Sequence, residues 1–188
     1  MPDDRVLYMI RPTSESSISL EIFRRGLLSR KKHVLFFESY GGELEYDAKE
    51  PHNSRFTLRI DTESAVCRDA WLKPEKRKRV VLETKSEMLS VGQFPQIIFS
   101  SGAIQRNARH RFEVTGTLTI HGDAKAVTLS TALIMVGQNR IELDASGSVE
   151  LTGYGLKVPP SLAGLWGVKP DAGLRLLLFP ERAPASQA

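Results

Sequence analysis

The run from Arg111 to His121 alternates with almost no fault, and that period constrains the fold more than any other feature. Phe112, Val114, Gly116, Leu118 and Ile120 fall on one side, and Glu113, Thr115, Thr117 and Thr119 on the other. Successive side chains of an extended chain point to opposite faces, so the run reads as a strand with one buried and one wet face. Ile97, Phe99 and Ser101 repeat the pattern just upstream, with Pro95 at the strand start, where a missing N–H costs least. Asn107-Ala108-Arg109 joins the two runs as a tight antiparallel connection, and His121-Gly122-Asp123 turns the chain into a third. The result is a β-meander.

The same period recurs through the chain. Val6 to Arg11 reads as a first strand ended by Pro12, and Ile18, Leu20 and Ile22 then alternate with Ser19 and Glu21. His33 to Phe37 follows with Phe36 assigned inward, and Gly41-Gly42 reads as a kink or bulge before Leu44. Phe56, Leu58 and Ile60 share one face opposite Thr57, Arg59 and Asp61. Ala126 to Val136 and Arg140 to Leu151 form a hairpin around Gly137-Gln138-Asn139, with Leu143 inward and a bulge expected at Gly147. Leu174, Leu176 and Leu178 line a closing strand, and residues from Pro180 onward read as a frayed tail.

One stretch breaks the pattern. Pro74 to Leu89 is charged, free of glycine and opens with proline at a helix N1 position, so it predicts a helix. Val81 with Met88 and Leu82 with Leu89 give it a narrow apolar stripe, and Glu75 lies one turn from Arg79. Three roles fit: a solvated connector, a lid over one end of the sheet, or a basic patch in transient contact with anionic lipid headgroups.

At 188 residues, a single domain over 1–188 is the natural reading. A chain of that length buries enough apolar surface to fold without a disulfide or a metal. The lone cysteine, Cys67, precludes an internal disulfide and reads as a small residue near a strand end. Acids in MPDDRVLYMIRP stand where a secretion signal needs bases, which points to a cytoplasmic protein. A net charge of +4 is too weak, and aromatics too sparse among the charges, for a nucleic-acid partner. The four histidines, His33, His52, His110 and His121, show no metal spacing, and there is neither a phosphate loop nor a nucleophile elbow, so no cofactor, metal or enzymatic activity is expected.

Phe94-Pro95-Gln96-Ile97-Ile98-Phe99-Ser100-Ser101, then Val114 to Gly122, Gly147 to Leu156 and Gly173 to Phe179, in that order, resemble the YceI-like family. The resemblance implies an all-β fold: an eight-stranded antiparallel up-and-down, lipocalin-like barrel, here with one helix inserted around residues 74–89. It also implies a bound isoprenoid lipid inside and a tendency to pair as a homodimer. The chain departs from the family where Ser14-Glu15-Ser16 and Phe23-Arg24-Arg25-Gly26 replace its usual histidines, and where Thr152-Gly153-Tyr154-Gly155 keeps an aromatic-glycine without the flanking charges.

An eight-stranded barrel either fills with its own side chains or holds one ligand, and the resemblance favours a ligand. The implied function is a non-catalytic carrier of a long isoprenoid lipid, a polyprenyl phosphate or a quinone-like tail. The tail-binding candidates are Ile18, Leu20, Ile22, Phe36, Phe56, Leu58, Ile60, Ile97, Phe99, Phe112, Val114, Leu118, Leu143, Leu174 and Leu176. Arg24, Arg25, Lys31 and Lys32 are the headgroup candidates, because Lys and Arg neutralise phosphate well. The alternatives are an isoprenoid-modifying enzyme using the same pocket, and a filled barrel that recruits another protein.

Overall fold

The computed structural model describes residues 5–26, 31–165 and 167–184, and its strands all belong to one curled antiparallel sheet. In chain order they are β1 (Val6–Ile10), β2 (Ser17–Arg24), β3 (Lys32–Phe37), β4 (Tyr40–Tyr46), β5 (Arg55–Asp61), β6 (Ala65–Cys67), β7 (Gln96–Ala108), β8 (Arg111–Ile120), β9 (Asp123–Met135), β10 (Ile141–Glu150), β11 (Val168–Leu178) and β12 (Glu181–Arg182). From β7 to β11 each strand pairs with its successor, as the meander reading requires. In β8 every inward position is buried, Gly116 included, and the intervening residues are exposed or half-buried.

Among the described residues twelve strands stand where eight were expected. The difference comes from sharp bends that cut long runs in two. Pro12 to Ser16 separates β1 from β2, Glu38-Ser39 separates β3 from β4, a 3₁₀ turn at Thr62–Ser64 separates β5 from β6, and Phe179-Pro180 separates β11 from β12. Apart from β6, which pairs only with β3 among the described residues, the halves of a cut run keep the same neighbouring runs. Thus β2 lies between β3 and β11, while β1 lies between β4 and β12. Residues 180–183 are therefore not a frayed end: Glu181 and Arg182 pair with β1, Glu181 also bridges Arg140, and the Ala183 amide donates to Leu7. Residues 185–188 lie outside the described residues.

Two glycines do other work than the sequence suggests. The β4–β5 ladder runs without interruption through Gly41 and Gly42, and the β1–β4 ladder reaches Gly42 in register, so there is no bulge. Gly42 is instead a close-approach residue: a Cβ there would stand 2.1 Å from the Thr57 carbonyl oxygen. Likewise the β10–β11 register is continuous across Gly147. The connection between β7 and β8 falls at Arg109-His110, one residue later than Asn107-Ala108-Arg109, with His110 at φ 65°.

The helix forms as expected, with Pro74 at its first turn. α1 (Pro74–Glu83) runs into one wide turn, Thr84–Met88, closed by the Leu89 amide donating to Thr84. That extra residue per turn rotates the apolar stripe. Val80, Met88 and Leu89 are buried, while Leu82 is 67% exposed, and Arg79 pairs with Glu83 rather than with Glu75. α1 packs on β6 and on the one-turn α2 (Pro160–Ala163), which touches β2. Together with Leu151, Tyr154, Leu156 and Leu162, all buried, these elements cover one end of the curled sheet.

Gly42→Ala should therefore destabilise the protein by about 3 kcal/mol, because the obstructing atom is backbone and has nowhere to go. Urea unfolding followed by tryptophan fluorescence would measure it; a loss under half of that would place the glycine's role elsewhere.

Candidate functional site

The concave face of the sheet encloses two cavities lined without any exposed polar atom. One lies toward the α1 end among Ile18, Leu20, Leu58, Ile60, Ile97, Leu118 and Leu176; the other lies toward the β7–β8 hairpin among Leu44, Phe112, Val114, Leu133, Leu143 and Ala145. Leu129 borders both. Phe56, in one wall, and Phe99, in the other, meet with ring centroids 5.7 Å apart. These three side chains form an apolar partition.

Two glycines seat that partition. A Cβ on Gly116 would stand 2.6 Å from the Phe99 ring, and a Cβ on Gly147 would stand 2.8 Å from Leu129 Cδ2. Glycine at both positions lets the larger side chains lean across the interior, one over β8 and the other over β10. As the side chains stand, the free space is small: the centre of a water-sized sphere has about 50 Å³ open to it in one cavity and about 30 Å³ in the other. A single water needs roughly 10–15 Å³ by this measure. Any longer guest must push the partition aside.

Most of the tail-binding candidates meet in this interior. Ile18, Leu20, Leu58, Ile60, Ile97, Phe99, Leu118, Leu174 and Leu176 line the first cavity, and Phe56, Phe112, Val114 and Leu143 the second. Ile22 is fully buried yet borders neither. Phe36 is a correction: it lies outside the interior with the Arg68 guanidinium 5.1 Å from its ring centroid, while Leu35 and Phe37 point inward. Two adjacent phenylalanines leave the phase of a short strand open, and the β2 register, Ile18 opposite Phe37, decides it. Ala145, which alternates inward with Ile141 and Leu143 in the sequence, also lines the interior, as do Leu129 and Leu133, whose alternation along β9 is the signal that marks them.

The four headgroup candidates do not converge. Lys32 is tied to Glu21 at 2.5 Å on the outer face. Arg25 is exposed, and its backbone amide donates to Gly167. Lys31 lies over the Trp71 ring, 5.0 Å from its centroid, and Arg24 points into an outer cleft beside α1. Beneath Trp71, His33 and Asp69 make a buried pair, Nδ1 to Oδ2 2.8 Å, and the Val34 amide donates to the other Asp69 oxygen. Burial pushes the Asp69 carboxyl up, but hydrogen bonds from His33, Val34 and Cys67 outweigh it and hold the group below its ordinary value. Burial pushes the neighbouring Cys67 thiol up to about 11, so it is protonated at neutral pH and is no nucleophile there.

Residues 8–175 match the YceI-like domain, nearly the whole of the curled sheet. The chain belongs to the YceI-like family. Among its relatives, the UPF0312 protein YE1254 of Yersinia enterocolitica is 30% identical over 125 residues, which is 64% of this chain and 61% of that protein. Protein YceI of Salmonella arizonae is 27% identical over the same length and shares. The chain thus matches about 61% of the length of these YceI-like relatives. Two solved structures share the fold. Burkholderia cenocepacia BcnA superposes with a TM-score of 0.73 at 17% identity, covering 88% of this chain and 96% of that one. A polyisoprenoid binding domain from Saccharophagus degradans gives 0.71 at 13% identity, covering 95% and 99%.

The His33–Asp69 pair anchors β3 in this YceI-like sheet to the loop ahead of α1, so its loss should be felt as stability. Asp69→Asn is expected to cost about 1–3 kcal/mol at neutral pH, since it weakens charge-assisted bonds inside the protein. Because the folded carboxyl binds its proton less readily than in the unfolded chain, its stabilisation is complete above about pH 4–5 and lost as pH falls through the folded value. The variant should therefore show a shallower fall of melting temperature between pH 5 and about pH 2 than the wild type. Parallel acid profiles would rule that linkage out.

Proposed function

We propose that the chain is a non-catalytic carrier whose curled sheet acts as an eight-run, lipocalin-like barrel around the tail of a long isoprenoid lipid. The observation that carries this is the pair of cavities without an exposed polar atom, which share Leu129 as a wall and between which the Phe56 and Phe99 rings meet. Swinging those side chains aside joins the two cavities into one apolar channel that offers no hydrogen bond and so favours a hydrocarbon. The described polyisoprenoid binding domain from Saccharophagus degradans, alike in fold, supports the ligand class.

The energetics suit exchange with a membrane. Burying a methylene from water is worth about 0.8 kcal/mol, so a long tail gains a great deal relative to water. A tail leaving a bilayer is dry already, and displacing the partition costs packing, so transfer lies nearer balance. That is what a carrier needs. The small free volume also supports a second reading, a barrel filled by its own side chains that serves as a protein-interaction module.

Mass spectrometry of the organic extract of purified protein separates the two. A stoichiometric lipid of repeating five-carbon units supports the carrier, whereas protein that stays empty after incubation with prenyl lipids supports the filled module. A second test narrows the channel. Ala145→Phe, which fills the cavity toward the β7–β8 hairpin, should cost about 1–3 kcal/mol of stability. It should also abolish retention of long prenyl alcohols while sparing short ones; equal retention of both would sink the channel.

A further inference from the structure

Outside the apolar interior, a cleft opens between the ends of β2 and β3, the loop carrying Trp71, and the two helices α1 and α2. The centre of a water-sized sphere has about 340 Å³ there, and the cleft shares no lining residue with either inner cavity. Three cationic side chains line it, Arg24, Lys76 and Arg79, and no carboxylate does. Trp71, Leu72, Val80 and Pro160 supply a second, apolar wall.

The charge balance inside the cleft is uneven. Arg79 is committed to Glu83, whose other oxygen accepts from the Ser161 amide. Asp69 is committed to His33, the one histidine at the cleft. No carboxylate pairs with Arg24 or Lys76 among the described residues, and Lys31, over the outer Trp71 ring, adds positive charge at the rim. The site for Arg24 is also built: its guanidinium lies over Gly164, where a Cβ would stand 2.4 Å from Nη2. Gly164 has a φ of 58°, a conformation that favours glycine, so the α2 terminus is shaped to admit this side chain.

We propose that this cleft binds a phosphoryl group carried on an apolar body, with Arg24 and Lys76 as its anion contacts and the Trp71 wall against the carbon portion. A guanidinium offers a fork of donors and an ammonium a mobile point charge, a combination that satisfies several oxygens of a phosphate monoester better than the two of a carboxylate. The proposal goes beyond the lipid-carrier reading, because the cleft is separate from the interior. The phosphoryl group has two sources, an amphiphile's head or a soluble phosphate.

Calorimetric titration of the full chain with dodecyl phosphate below its micellar range, and separately with inorganic phosphate, tests it. We expect saturable binding of dodecyl phosphate that weakens with salt. Arg24→Gln and Lys76→Ala should each reduce that affinity by about tenfold or more, with Arg59→Ala, on the exposed outer face of β5, as the unchanged control. Lys76 is exposed on α1, so its variant folds even where an Arg24 substitution disturbs the cleft. Binding of dodecyl phosphate alone assigns the cleft to an amphiphile head, and binding of both probes at similar affinity assigns it to a soluble phosphate. Absence of saturable binding, or dodecyl phosphate binding that both variants leave intact, overturns the proposal. In the last case the probe sits tail-first in the interior, and the carrier reading survives without the cleft. Conversely, an interior that never retains a prenyl lipid, beside affinity lost in both variants, ends the carrier reading and leaves the cleft standing.

Discussion

The whole arrangement depends on the period-two register of a single antiparallel ladder. Once β7, β8 and β9 are paired, Phe99, Val114, Gly116, Leu118, Val127 and Leu129 must all face the same way. A slip of one residue would turn that apolar set outward and the threonines of β8 inward. The register is held by a continuous run of backbone hydrogen bonds from β4 through β5 to β11, and it leaves side-chain choice to determine only what fills the concave side. Bends are tolerated because they fall between ladders: a cut run resumes beside the same neighbours, so the inward face is carried across each break.

Within that frame, the interior is shaped by small residues rather than by large ones. Gly116 and Gly147 lie under Phe99 and Leu129, and the two large side chains reach the middle of the sheet because nothing stands beneath them. The consequence is an interior that is apolar throughout yet divided. What divides it is side chain rather than backbone: Phe56 and Phe99 meet ring to ring, and Leu129 borders both cavities. The helical cover adds a further control. Its wide turn at Thr84–Met88 turns Met88 and Leu89 inward, and Leu89 borders the first cavity.

The polar chemistry lies outside this frame. The buried His33–Asp69 pair fastens the start of β3 to the segment leading into α1, and that segment brings Trp71 and Lys76 beside Arg24. A structural pair thereby assembles a charged cleft from three stretches distant in sequence, which explains why the cluster Arg24, Arg25, Lys31 and Lys32 was a poor guide. Strand alternation and the Glu21 pairing send Lys32 to the outer face, and only Arg24 and the helix residues meet.

The sequence by itself determined most of the strand runs, most of their inward faces between Ile18 and Leu178, the helix beginning at Pro74 and the family resemblance, because alternation, a proline at N1 and short motifs are local properties of the chain. It failed where a local pattern was ambiguous or incomplete. Phe36 and Phe37 are equally apolar, and only pairing with β2 chooses between them. Gly42 and Gly147 resemble bulge glycines in a string of letters, but their role is the backbone and side chain that pass over them. The tail beyond Pro180 has too few apolar residues to read as a strand, yet Glu181 and Arg182 find partners in β1. Only the tertiary structure decided how the interior is divided and which cations share a cleft, since both depend on side chains from separate strands and helices meeting across the fold.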